Sequence, residues 1–221
     1  MKEYHMLQPT ISRDYNSADR VAQSHATKQR IIESARALML ERGYRATTIA
    51  AIARHAEVHI DTIYKLVGRK PMVLRELIEQ AISGSDAAVP AEERDYVAAI
   101  HNEPDPRAKL VIYARATRKI HQRMAPLVLA LRDASATEPE AREVWQTISD
   151  RRAANMRKLA QELRKADGLR SGLSIDEAAD VIWATNSAEL FTMLTVERGW
   201  KPARYERWLA DTWCRLLLPG S

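Results

Sequence analysis

From Thr27 onward, apolar side chains recur three and four residues apart, and Pro or Gly repeatedly interrupts the pattern. That rhythm builds amphipathic helices and does not suit strands, whose side chains alternate with a period of two. Ile31, Ala35, Leu38 and Met39 share one helical face, with Arg30, Glu33, Arg36 and Glu41 between them. Gly43 is a stop signal, because glycine takes the left-handed position after a helix without steric cost. Thr47 or Thr48 can N-cap a short helix carrying Ile49, Ile52 and Ala53. A turn at Ala56–Val58 leads to a third helix, about His59 to Leu66. Gly68 breaks it, and Pro71 suits the first turn of a fourth helix that carries Leu74, Leu77 and Ile78 and ends near Gly84. Further helices are expected at 92–102, 106–123, 125–135, 138–166, 174–198 and 202–218. Seven glycines and one phenylalanine in 221 residues argue against a multi-stranded fold. The expected class is all-α: an N-terminal three-helix unit followed by a larger helical body.

The net charge of +5 is unevenly placed. Residues 1–25 balance to zero and show no helical period, so they read as a mobile arm. Residues 26–84 carry ten basic and six acidic side chains, whereas 85–221 are nearly neutral at 21 against 20. A basic module on a neutral body points to a polyanionic partner for the module. The three segments form the expected domain plan. With one cysteine, Cys214, an internal disulfide framework is excluded. The longest apolar run, Ala125–Leu131, is too short to span a bilayer, and the first ten residues lack a secretion signal. The cytoplasm is the expected location, with no membrane partner.

The stretch from Thr47 to Lys70 carries the chemistry. Two short helices joined by a turn form a helix-turn-helix, whose second helix fits the roughly 12 Å wide major groove of B-DNA. Ile49, Ile52, Ala53, Val58 and Ile63 are needed inward to lock the helices together. His59, Ile60, Asp61, Thr62 and Lys65 then become the candidates for facing base edges.

The Thr47-Thr48 pair with its following Ile-Ala, the Val58, Thr62 and Tyr64 spacing, and the Gly68-x-Lys70 ending resemble the DNA-binding domain of TetR/AcrR-type repressors. The resemblance covers about residues 27–75. It implies that Thr48, Tyr64 and Lys70 hold DNA phosphates and that the helix from His59 is the recognition helix. A hydroxyl, a phenol and an ammonium can each donate to phosphate oxygens. Two departures stand out: Glu57 replaces a customary glycine, and Val67 replaces a customary aromatic. Glu57 implies either a right-handed backbone or a strained one, and it sets an anion near DNA.

The C-terminal pair of helices carries more apolar surface than a single buried stripe requires. Ile182, Leu190, Phe191, Leu194, Trp208 and Trp213 are therefore expected at a homodimer interface, as the resemblance also implies. A dimer places two recognition helices on a palindromic double-stranded operator. The resemblance further implies a pocket for a small-molecule effector. Tyr113, His121, Met124, Trp145, Trp183 and Asn186 are the candidate lining residues, since apolar cavities with sparse polar anchors suit small ligands.

No cofactor, metal site or catalytic set is expected. HExxH, Gly-rich phosphate loops, Gly-x-Ser-x-Gly and Glu-x-x-His pairs are all missing from the sequence. His55 and His59 straddle the predicted turn, so they read as solvated rather than as a metal pair. Cys214 reads as an inert buried thiol, and Asp150–Arg152 as a solvated helix face. The expected function is a ligand-released DNA-binding repressor. The alternatives are a helical small-molecule-binding or scaffold protein whose basic module no longer reads DNA, and a helical enzyme with a dispersed site.

Overall fold

A computed structural model of the chain describes residues 12–84 and 89–220. Ten α-helices account for most of them, and no strand occurs among the described residues. The N-terminal unit comprises α1 (Ser12–Ala46), α2 (Ile49–His55), α3 (Ile60–Leu66) and α4 (Lys70–Ser83). The body comprises α5 (Asp95–Asn102), α6 (Pro106–Ser135), α7 (Pro139–Lys165), α8 (Ile175–Thr185), α9 (Ala188–Thr192) and α10 (Pro202–Leu217). No helix among the described residues is long and apolar enough to cross a membrane.

Local signals explain the N-terminal unit. Gly43 leaves helical geometry at φ 81° and ψ 162°, so the stop signal operates even though a helical turn continues to Ala46. Thr48, not Thr47, is the N-cap of α2: its hydroxyl accepts from the Ala51 amide at 3.1 Å. Thr47 is buried and donates to the Gly43 carbonyl at 2.9 Å. Ile31, Ile32, Ala35, Ile52, Ala53, Ile63 and Leu74 form the buried centre, with Ile49 and Val58 packed against it.

Three expectations fail, each for a physical reason. Residues 12–25 are helical as part of α1 rather than an arm, while 1–11 lie outside the described residues. Residues 19–26 of that helix are exposed, and a helix with no buried face has no apolar rhythm to read. Pro126 does not divide α6, which continues through it to Ser135. Its ring sits on the exposed side, where water can satisfy the carbonyl left without a donor. The expected single helix 174–198 instead breaks at Asn186–Ser187 and ends in a π-helical turn, Met193–Glu197. Ser187 takes extended backbone angles and caps α9 by accepting from the Leu190 amide at 3.1 Å.

Candidate nucleic-acid interface and ligand cavity

Helix α3 stands on Ile63, which is fully buried, and turns its other side outward. His59, Asp61, Tyr64 and Lys65 are exposed and Thr62 is half-buried. Ile60 differs from the expectation: it is half-buried and packs against the core, because an apolar side chain one turn from Ile63 gains more from packing than from water. His59 is the N-cap of α3, with Nδ1 3.4 Å from the Asp61 amide and 3.3 Å from the Asp61 carboxylate. Two of the base-facing candidates therefore already engage each other.

The three phosphate candidates differ in their commitments. Tyr64 is exposed. The Thr48 hydroxyl is exposed but serves its cap. The Lys70 ammonium donates to the Tyr44 carbonyl at 3.2 Å and lies 4.0 Å over the Tyr44 ring, which holds it at the end of α1. Two of the ammonium's three hydrogens remain available to an anion. Sequence reasoning missed Arg45, Arg54 and Arg69, all exposed: Arg54 in the last turn of α2, Arg45 before α2 and Arg69 after α3. Basic residues beside a helix-turn-helix were the available signal. Arg69 is the N-cap residue of α4 and forms an ion pair with Glu140 in the first turn of α7. Glu57 adopts φ 54°, the strained alternative of the two its sequence allowed. Unit and body are joined beside this pair by Tyr44, whose phenol donates to Glu138 at 2.9 Å. Burial and that carboxylate push the phenol's pKa far up.

A cavity of about 420 Å³ lies between α4 of the N-terminal unit and α5, α6 and α7 of the body. Tyr113, Met124 and Asn186 line it. His121 sits one bond behind, with Nε2 2.9 Å from the Asn186 side-chain oxygen. Asn186 in turn donates to the Tyr113 oxygen at 2.6 Å, and Tyr113 donates to the Met156 sulfur at 3.2 Å. Burial pushes the His121 pKa down to about 4, so the ring is neutral near pH 7. Trp145 and Trp183 do not line the cavity. Trp145 is half-buried against the core, and Trp183 faces outward on α8 beneath the Arg152 guanidinium, 4.5 Å from its ring centre.

Arg152 corrects the expectation of a solvated face at Asp150–Arg152. It shares the inward side of α7 with Ile148 and Met156 and lines the cavity with them. The signal was present in the sequence: Ile148, Arg152 and Met156 are four apart, which places an arginine in core register. Thr117, four residues from both Tyr113 and His121, and Asn155, four from Leu159, also line the cavity and were missed in the same way.

The expected interface residues divide. Ile182, Phe191 and Trp213 are buried inside the single chain, so an abundance of apolar residues there serves this subunit's own core. Leu190, Leu194 and Trp208 are half-buried. Exposed apolar side chains on the same elements are Trp183, Met193, Val196 and Leu216, with Val196 72% exposed. Cys214 is buried, and burial raises its thiol pKa.

Comparison with known proteins places these features. Residues 31–66 match the family described as bacterial regulatory proteins, tetR family. No curated protein matches the chain. A protein from Saccharomonospora viridis solved in complex with choline shares the fold at TM-score 0.65 and 21% identity, covering 87% of this chain and 98% of that one. The fatty acid degradation regulator FadR from Bacillus halodurans aligns at TM-score 0.66 and 18% identity, over 85% and 94%. The transcriptional regulator FadR from Bacillus subtilis, in complex with stearoyl-CoA, aligns at 0.64 and 19%, over 84% and 96%. Residues 31–66 thus match the tetR family of bacterial regulatory proteins, and the chain shares the helical fold of those solved proteins.

Proposed function

We propose that the protein is a dimeric transcriptional repressor that leaves a palindromic operator when a small molecule enters the cavity of the body. The observation that carries this reading is α3, a family-matched second helix of a helix-turn-helix that presents His59, Asp61, Tyr64 and Lys65 to solvent beside Arg45, Arg54 and Lys70. A dimer would set two such helices about 34–36 Å apart, one turn of B-DNA. Trp183, Met193, Val196 and Leu216 are the side chains that a second copy would cover. The effector role of the cavity is supported by its combination of apolar wall and polar and charged anchors, and by choline and stearoyl-CoA in solved proteins of this fold.

Selection of DNA from a random library with the full chain, followed by gel shift at several salt concentrations, tests the reading. A palindrome with half-sites one helical turn apart is expected, with affinity falling steeply as salt rises. A footprint confined to one half-site, or a monomer under binding conditions, overturns it. A second reading, a helical binding protein whose basic unit no longer reads DNA, draws on Glu57 and Asp61, exposed anions in and beside the recognition helix. Binding without sequence preference at fixed salt would favour it.

A further inference from the structure

We propose that the cavity takes an amphipathic anion, an apolar body ending in a carboxylate, and that Arg152 receives the charge. This rests on the ligand-responsive reading above and gives its effector a chemistry.

The electrostatics of the walls come first. Arg94, Arg151, Arg152, Lys158 and Lys165 line the cavity against two carboxylates, Glu92 and Glu162. Glu162 is already paired with Lys165 at 2.9 Å and faces the buried Lys109 at 4.0 Å. A cationic ligand would therefore enter a field of its own sign.

Arg152 is the cation of this set whose unanswered donor is buried. Its Nε is buried without a hydrogen-bond partner. One terminal amino group donates to the Trp183 carbonyl, and the guanidinium plane rests over the Trp183 ring. No carboxylate lies within ion-pair distance of it among the described residues; Glu189, whose charge it feels, is held by Arg132. Buried guanidinium donors are costly when unpaired, and their fork matches a carboxylate. A further polar group of the cavity wall stands on α6: the Thr117 hydroxyl, 2% exposed, one turn from Tyr113. Asn186, Tyr113 and Met156 are joined to His121 Nε2 in one chain of hydrogen bonds, and the His121 group left over, Nδ1 of a neutral ring, is an acceptor that a carboxylate cannot answer. Ile100, Ile120, Met124, Ile148 and Leu159 supply the apolar wall for the rest of the ligand.

Three probes of one chain length separate charge from apolar fit: octanoate, octan-1-ol and octyltrimethylammonium, titrated into the full-length protein by calorimetry. Octanoate should bind at least about tenfold more tightly than octanol, as expected for a charge-assisted hydrogen bond, and the ammonium should not bind. In Arg152→Gln, octanoate should fall to the level of octanol while octanol is unchanged. The proposal is overturned if octanol or the ammonium equals octanoate, if none of the three binds, or if Arg152→Gln keeps the preference. The wild-type comparison decides the matter even if that variant does not fold. Gel shift with the selected DNA separates the two levels. Probes that release DNA without regard to charge leave the regulator reading standing and remove the anion. A chain that selects no DNA removes the regulator reading, whichever probe binds.

Discussion

The Nε2 of His121 lies 2.9 Å from the side-chain oxygen of Asn186, in an interior where the histidine is 2% exposed. The geometry fits a neutral ring donating through Nε2, which leaves Nδ1 as a buried acceptor without a partner. Burial, aided by the nearby Arg152 charge, lowers the folded pKa to about 4, against the influence of Asn186 and Glu189. The unfolded ring titrates near 6.5. Between these values the unfolded chain binds the proton and the folded chain does not, so stability falls as pH drops from about 6.5 to about 4. It is unaffected by this group above that window. The loss should be of order 3 kcal/mol at the lower end. Urea midpoints of the wild type and His121→Gln, measured from about pH 7.5 to 4.5, check it. The variant should start less stable and show a flatter profile; equal slopes would remove His121 as the cause.

Glu57 occupies left-handed backbone at φ 54°, where a side chain costs about 1–2 kcal/mol and glycine does not. Glu57→Gly relieves that strain but adds freedom to the unfolded chain, so a gain of about 0.5–1 kcal/mol is expected. It also removes an anion from the turn before α3, so DNA binding should tighten for all sequences alike. Thermal unfolding and gel shift read the two effects separately. A fall in melting temperature would contradict the strain argument.

Glu140 neutralises Arg69 at the start of α4, beside Lys70. An exposed pair of this kind contributes about 0–1 kcal/mol to stability. Glu140→Gln should therefore leave unfolding nearly unchanged while freeing a guanidinium for phosphate. The expected signature is tighter DNA binding with a salt slope steeper by roughly 0.9. An unchanged slope would mean that Arg69 does not reach the backbone of DNA.

Replacing Tyr64 or Lys70 should weaken every sequence equally, whereas replacing Lys65 or Thr62 should change which sequence is preferred. Competition binding against a panel of single-base operator variants distinguishes the sets. Equal loss of selectivity in both sets would defeat the division of roles.

Gly168 lies after α7 with its Cα against Pro106, and a Cβ there would come within 2.4 Å of the proline ring. The ring cannot swing aside as a long side chain could. Gly168→Ala should cost about 1–3 kcal/mol through overpacking. Denaturant unfolding measures this, and a cost below about 0.5 kcal/mol would show that the α6 terminus yields easily.

The helix-turn-helix was legible because its signals are local. Thr48, Gly43, Gly68 and Pro71 each act within one turn of chain, and each operates near where the sequence placed it. The body was less legible because its decisions are made between helices. Asn186 breaks the run 174–198 while its side chain bonds Tyr113 and His121 on α6, a partnership invisible to periodicity. Pro126 looked like a boundary because sequence does not say which side of a helix faces water. Ile182, Phe191 and Trp213 looked available to a partner because apolar content cannot tell a subunit's own core from its neighbour's. Trp145 and Trp183 failed as cavity residues for the same reason, while Arg152 was hidden inside a charged run although its register was correct.

Helix α4 has one end among phosphate candidates and the other in the cavity wall. Lys70 begins it; near its far end Ile82 lines the cavity, Arg151 grips Glu79, and the Ala81 carbonyl accepts from Arg123 at 2.8 Å. Fourteen residues at 1.5 Å each make a rod about 21 Å long. Such a rod would work as a crank: an ångström of sideways push at Ile82, with its middle wedged on the buried Leu74 and Leu77, would tip the opposite end by a comparable amount. On the proposed function, whatever fills the hollow would thus need never come near the nucleic acid to spoil a fit that tolerates little misalignment.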